Sequence, residues 1–85
     1  MKLITFVFAA ILAFAQAEVD EDGILILTDK NFDLEVSKHD FLLVEFYAEW
    51  CGHCKRFAPD YAYVARSLSH LDNPIQVAKL NGPEN

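Results

Sequence analysis

The sequence feature that most constrains the fold is an abrupt change of hydrophobic period at Trp50. Residues 41–48 are apolar except for Glu45, so apolar side chains point to both faces of a predicted strand. A strand covered on both faces is typical of a parallel sheet between helices. After Trp50, apolar residues recur at spacings of three and four, which predicts a helix over residues 51–71. Pro59 lies inside that helix and is expected to kink it.

Two further strands and a short helix complete the predicted order. Residues 24–27 predict a first strand, and residues 75–80 predict a third. Between the first two strands, Phe32 and Val36 lie four apart, as on one face of a short helix that ends near residues 37–40. The order strand, helix, strand, helix, strand predicts an α/β fold with three parallel strands and helices on both faces.

The N-terminal segment carries a targeting pattern. A positive start at Lys2 precedes an apolar run over residues 3–15, and Ala15-Gln16-Ala17 fits a small-x-small cleavage site. These features predict a secretory signal peptide over residues 1–17. An uncleaved membrane anchor is the weaker alternative, because a spanning helix needs about 17 to 25 apolar residues.

The chain is acidic, with seven Lys and Arg against thirteen Asp and Glu and a formal net charge of -6. Its basic residues are scattered, which argues against a phosphate-tracking nucleic-acid surface. Residues 18–23 form an acidic leader that we interpret as a solvated terminal arm. A low-affinity calcium surface on this leader is the weaker alternative, because a flexible segment lacks fixed ligand geometry.

The two cysteines are the candidate reactive groups. Cys51 and Cys54 lie at the predicted strand–helix junction, three residues apart, where a disulfide can close. So small a ring stabilises the fold by only about 1.9 kcal/mol on the chain-entropy formula, which favours a redox role over a structural one. In an oxidising compartment the pair is expected to form this disulfide.

The position of each residue in the motif predicts its role. Cys51, at the first helical turn, faces unpaired N–H groups and the positive end of the helix dipole, so it is the candidate nucleophile. Cys54 lies one turn deeper and suits the resolving role. His53 is expected to add positive charge beside the thiolate, and Gly52 to leave Cys51 accessible.

Metal and haem sites do not fit the spacing of these residues. A zinc site needs four ligands, yet no second cysteine pair follows, and His39 and His70 are isolated. Covalent haem attachment needs a histidine directly after the second cysteine, where Lys55 stands. The sequence therefore predicts neither a metal nor a cofactor.

A family resemblance rests on residues 42–48, the string Trp50-Cys51-Gly52-His53-Cys54-Lys55 and Ala58-Pro59. Together these resemble the first catalytic thioredoxin-like domain of a protein disulfide isomerase. The resemblance covers most of residues 24–85, and it implies the N-terminal part of a thioredoxin-like domain. Cys51 is then the attacking thiol and Cys54 the resolving one. Two positions depart from the family: Glu49 stands where its members usually have proline, and Asn81 where many have aspartate.

The function expected from this resemblance is thiol–disulfide exchange that forms, reduces or rearranges disulfide bonds in secretory proteins. Its partners would be unfolded or misfolded proteins that contain cysteine, with glutathione or an upstream oxidase. Neither nucleic acid nor, after signal cleavage, a membrane is expected as a partner. The expected location is the endoplasmic reticulum lumen or the outside of the cell, although no retrieval signal ends the sequence. The alternative is a redox-silent fragment or a binding module for unfolded chains.

Two charges lie within the otherwise apolar predicted strands, Glu45 and Lys79. The predicted topology makes their strands neighbours, and buried charges are normally paired. The resemblance implies the same pair, with the carboxylate below Cys54. Our hypothesis is that Glu45 accepts the Cys54 proton and that Lys79 tunes Glu45. A strand-edge carboxylate and an exposed lysine are the alternative.

Overall fold

The structure is a computed structural model that describes residues 17–85. Three strands and two helices follow one another, with a short 3-10 turn at the end. In chain order they are β1 (Leu25–Leu27), α1 (Phe32–Ser37), β2 (Leu42–Tyr47), α2 (Gly52–Ser69), β3 (Gln76–Asn81) and the turn Gly82–Glu84. The predicted order of elements is confirmed.

The three strands form a parallel sheet in the order β1-β3-β2. The last strand in the chain is therefore the central one. Its residue Ala78, fully buried, lies between Leu25 of β1 and Val44 of β2. One residue further along, Lys79 lies between Ile26 and Glu45.

The two faces of the sheet carry separate apolar clusters, because successive strand residues point to opposite faces. On one face, Tyr61 and Ala65 of α2 pack against Ile24 and Val77. On the other face, Phe32 of α1 packs against a cluster from all three strands. The strand residues of this second cluster are Leu25, Leu27, Leu42, Val44, Ala78 and Leu80. The predicted α/β sandwich with helices on both faces is confirmed.

Helix α2 is the longest element and is tied to two strands by Tyr61. The Tyr61 hydroxyl lies 2.6 Å from the Ala78 carbonyl oxygen and 3.2 Å from that of Leu43. Burial raises the pKa of Tyr61 to about 12, so the hydroxyl keeps its proton at neutral pH. The helix continues through Pro59 and ends at Ser69, close to the predicted end.

The prediction that both faces of β2 are covered is wrong in part. Phe41, Leu43 and Phe46 are 76%, 42% and 64% exposed. The reason is topological: β2 is an edge strand, paired only with β3 among the described residues. The apolar run predicts a strand but not how much of its surface the neighbouring helices cover.

The acidic leader is mostly exposed to solvent, and its backbone forms a turn. The Asp20 side chain accepts hydrogen bonds from the backbone N–H groups of Asp22 and Ile24. Gly23 adopts a φ of 79°, a left-handed conformation that glycine reaches without strain, and closes the turn. Backbone pairing of Val19 with Leu25 then places the leader along β1.

The predicted signal peptide, residues 1–17, lies outside the described residues except for Ala17. Among residues 17–85, no helix has the length and hydropathy needed to cross a bilayer.

Replacing Tyr61 with phenylalanine tests the attachment of α2. The variant Tyr61→Phe keeps the ring but removes a buried donor to two carbonyls, so we expect a loss of about 1 to 2 kcal/mol in the free energy of unfolding. Urea denaturation measures this loss. Tyr63→Phe is the matched control, because Tyr63 lies on the same helix and is 66% exposed. Equal stability of the two variants would contradict the proposed attachment.

Candidate active site

The cysteine motif begins where β2 ends. Ala48, buried, closes a turn in which the Cys51 backbone N–H donates to the Ala48 carbonyl at 3.1 Å. Cys51 then caps α2 with an extended backbone, φ -81° and ψ 110°, and its carbonyl accepts from the Lys55 N–H. The sheet thus fixes the start of the helix, and Cys51 lies at its positive end.

Both thiols are free, and Cys51 is the acceptor in the hydrogen bond between the two residues. The Cys54 backbone N–H donates to Cys51 Sγ at 3.2 Å. The Cys54 thiol and this N–H together lower the pKa of Cys51, with smaller effects from the His53 backbone and the Arg56 charge. Cys51 is therefore the thiol that ionises more readily.

Cys54 experiences the opposite effects. Its thiol donates a hydrogen bond to Cys51, which holds the Cys54 proton and raises the pKa of Cys54. Burial and the charges of Cys51 and Glu45 raise the Cys54 pKa further, whereas a hydrogen bond with the Ala48 backbone lowers it. The arrangement fits one thiolate and one thiol in the reduced pair.

Arg56 is a member of the site that the sequence analysis missed. Its Nη2 lies 2.9 Å from His53 Nδ1, and a guanidinium only donates, so Nδ1 accepts and carries no proton in this contact. Another nitrogen, Nη1, lies 3.5 Å from where a Cβ on Gly52 would stand. After the hydrogen bonds of Cys54 and His53, the charge of Arg56 also contributes to the lowered pKa of Cys51. The positive charge expected from His53 stays a prediction. The spacing of three residues between His53 and Arg56 was the available signal.

Glu45 and Lys79 lie opposite each other in the β2–β3 register, as the topology predicts. Both line a cavity of about 250 Å³ that also includes Cys54 and Lys55. Burial raises the pKa of Glu45, and the attraction of Lys79 only partly offsets this effect. Glu45, whose pKa is raised, therefore shares a cavity with Cys54, the thiol whose pKa is raised.

Lys79 forms its ion pair with Asp20, not with Glu45. The Lys79 Nζ lies 3.2 Å from Asp20 Oδ2 and 5.9 Å from the centre of the Tyr47 ring. Glu45 and Lys79 are thus neighbours in the strand register, as the resemblance implies, but the Lys79 ammonium pairs with the Asp20 carboxylate. Asp20 was not identified as a site residue because its partner lies at the far end of the sequence.

Of the six residues singled out from the sequence, three line the cavity and the other three form the start of α2: Glu45, Cys54 and Lys79, and Cys51, Gly52 and His53. Gly52 and His53 are exposed beside Cys51, and Trp50 next to them is 80% exposed. Within residues 17–85, no group of three or more His, Cys, Asp or Glu side chains is arranged to hold a metal ion.

Comparison with known proteins places this chain in a family. The sequence pattern of the Thioredoxin family matches residues 23–85. Protein disulfide-isomerase A4 from Bos taurus is 55% identical over 62 residues, which cover 73% of this chain and 10% of the relative. Protein disulfide-isomerase from Drosophila melanogaster is 49% identical over 70 residues, 81% of this chain and 14% of the relative.

A solved structure agrees with the sequence matches. The solution structure of the first thioredoxin domain of mouse Protein disulfide-isomerase A4 superposes with a TM-score of 0.73 at 46% identity, covering 80% of this chain and 48% of that one. The chain spans only about a tenth to a seventh of the length of the curated relatives. It belongs to the thioredoxin family and corresponds to part of the first thioredoxin domain of the protein disulfide isomerases, a group of thiol–disulfide oxidoreductases.

Proposed function

We propose that this chain catalyses thiol–disulfide exchange, forming, reducing and rearranging disulfide bonds, with Cys51 as nucleophile and Cys54 as resolving thiol. The observation that carries the proposal is the directed contact between the two cysteines. Cys51 Sγ accepts a hydrogen bond from the Cys54 N–H at the start of an 18-residue helix. Such a position stabilises a thiolate, which is the reactive form in exchange.

The exchange proceeds in two displacements. The Cys51 thiolate attacks one sulfur of a substrate disulfide, forming a mixed disulfide and releasing the other substrate sulfur as a thiolate. Cys54 then loses its proton and attacks Cys51 Sγ, which forms the Cys51–Cys54 disulfide and releases the second substrate sulfur. The substrate gains two electrons and the enzyme pair loses two, and the reverse sequence oxidises a substrate dithiol.

Glu45 supports the second displacement as the proton acceptor. The raised pKa of Cys54 means that this thiol keeps its proton unless a base receives it. Glu45 lines the same cavity, whose volume of about 250 Å³ exceeds the roughly 30 Å³ that one water molecule occupies in the liquid. The proton can thus pass to Glu45 through water.

The proposed substrates are unfolded or misfolded secretory proteins with cysteines, and glutathione or an upstream oxidase would restore the redox state. The names of the relatives support disulfide chemistry, and the predicted signal peptide supports a location in the endoplasmic reticulum lumen or outside the cell. Trp50 is 80% exposed beside Cys51 and offers apolar surface to an unfolded chain.

A redox-silent binding module or fragment is the second candidate. The exposed Phe41, Leu43 and Phe46 of β2 and its flank favour it, since such surface binds other apolar chains. Exchange activity separates the two candidates, because binding through β2 needs neither cysteine.

Alkylation of the reduced protein tests the assignment of the two thiols. Because the pKa of Cys51 is lowered and that of Cys54 raised, iodoacetamide should modify Cys51 faster at about pH 6. Below its pKa the Cys51 rate should fall tenfold for each pH unit. Mass spectrometry of peptides follows both sites. Cys54→Ala removes a donor to Cys51 and should move the Cys51 inflection to higher pH. Equal rates at the two cysteines would refute the assignment.

Serine variants test the exchange reaction itself. Cys51→Ser should reduce turnover of a fluorescent disulfide peptide to the uncatalysed rate, because no thiol remains at the helix start. Cys54→Ser should still form mixed disulfides but not release them, so they should accumulate on non-reducing gels. Wild-type protein without any turnover, but with unfolded-chain binding that survives both substitutions, would support the binding module.

Glu45→Gln tests the proton acceptor. Release of mixed disulfides from Cys51 should slow by about a hundredfold, while their formation changes little. Removing the Glu45 charge also lowers the Cys54 pKa, so the loss should shrink as pH rises. Stopped-flow measurement of both steps between about pH 6 and 8 reads the effect. Unchanged release across this range would exclude the role.

A further inference from the structure

Lys79 stands between two carboxylates that belong to different parts of the chain. On the β2 side, Glu45 lies opposite it in the sheet register. On the β1 side, the ordered leader brings Asp20 Oδ2 to 3.2 Å from the Lys79 Nζ. The lysine carries a single charge, and the structure shows that it contacts Asp20.

Asp20 is held firmly enough to define the lysine position. Its Oδ1 accepts from the N–H groups of Asp22 at 2.9 Å and Ile24 at 3.0 Å. Its own backbone N–H donates to the Ile24 carbonyl at 3.0 Å, and its carbonyl accepts from Gly23 at 3.0 Å. Four hydrogen bonds thus fix the residue, and Oδ2 remains for Lys79.

We propose that Asp20 is a positioning residue for disulfide exchange: its carboxylate holds the Lys79 ammonium beside the leader and away from Glu45, so that Glu45 remains able to accept the Cys54 proton. This inference rests on the proposed function of Glu45. It assigns to the leader a part in the reaction, although no leader residue lines the cavity around Cys54.

The physical basis is competition for one cation. An ammonium close to a carboxylate favours its charged form and weakens it as a base. Burial, which raises the pKa of Glu45, outweighs the effect of Lys79 in the present geometry. Partial burial also raises the pKa of Asp20, but the hydrogen bonds from Ile24, Asp22 and Lys79 lower it below its ordinary value. Asp20 therefore ionises at lower pH than Glu45, so its carboxylate is available to hold Lys79 when Glu45 loses its proton.

Other groups also face Glu45, and the test must separate them from Asp20. In addition to Lys79, the titratable groups around Glu45 come from β2 and the turn after it and from α2: Tyr47, Glu49, Cys54, Lys55 and Tyr61. None of them contacts Asp20 through an ion pair. A substitution at Asp20 therefore reaches Glu45 chiefly through Lys79.

The decisive variant is Asp20→Asn in the full chain. Asparagine keeps the Oδ1 acceptor for Asp22 and Ile24 and replaces the charged Oδ2, which binds Lys79, with an amide group that cannot accept. The matched control is Asp22→Asn, because Asp22 belongs to the same turn but pairs with Arg66 at 2.8 Å. Circular dichroism verifies that both variants are folded.

The readout is the titration of the Glu45 carboxyl by carbon-13 NMR, with its signal assigned from its absence in Glu45→Gln. In Asp20→Asn the released ammonium should approach Glu45, and the titration midpoint should move to lower pH. Asp22→Asn should leave the midpoint unchanged. In a Lys79→Met background, Asp20→Asn should lose most of its effect, because the cation through which it acts is absent.

Exchange kinetics distinguish failure of this inference from failure of the proposed function. The inflection in the pH profile of mixed-disulfide release should move to lower pH in Asp20→Asn together with the Glu45 midpoint. A Glu45 midpoint that is the same in Asp20→Asn and the wild type would overturn the inference, even if Glu45→Gln slows release. If the midpoint moves but release does not respond to Glu45→Gln, Asp20 positions Lys79 without a part in exchange, and the inference is likewise overturned.

Discussion

One hydroxyl group connects the three elements on which the site depends. The Tyr61 side chain reaches from α2 to the carbonyl oxygens of Ala78 in β3 and Leu43 in β2. The helix is thereby held across the β2–β3 pair, and the start of α2 lies over the ends of these strands. With the helix in this position, Cys54, Glu45 and Lys79 line a common cavity.

The opposite pKa shifts of the two cysteines arise from one turn of helix. They are the same residue type three positions apart, yet one accepts hydrogen bonds at the positive helix end and the other donates. Glu45 increases the difference, since its charge acts on Cys54 from below. The backbone geometry at the helix start and one carboxylate from the sheet thus give the two thiols opposite pKa shifts, which is what the proposed attacking and resolving roles require.

Local pattern predicted the elements well, and long-range contacts account for what it missed. The change of period at Trp50 predicts β2 and α2, and the strands of Glu45 and Lys79 are neighbours as expected. The central position of β3 in the sheet was not predicted. Exposure of Phe41 and Phe46 was not predicted either, because an apolar run does not reveal which neighbours a strand has. The role of Asp20 was hidden for a similar reason: its contact with Lys79 exists only after the sheet forms. The contact between Arg56 and His53, by contrast, could have been predicted, because residues three apart on a helix are neighbours.

Pro59 divides α2 into two parts that differ in how deeply they pack on the sheet. The buried residues of the helix, Tyr61 and Ala65, both follow the proline, while the turns before it carry Cys51 and Cys54 and bury no side chain completely. Proline also lacks the N–H that would bond to the Lys55 carbonyl. The packing of α2 on the sheet therefore depends on the part of the helix after Pro59. The turns that carry the cysteines add no buried side chain to the core, so substitutions there are expected to cost less stability than substitutions at Tyr61 or Ala65.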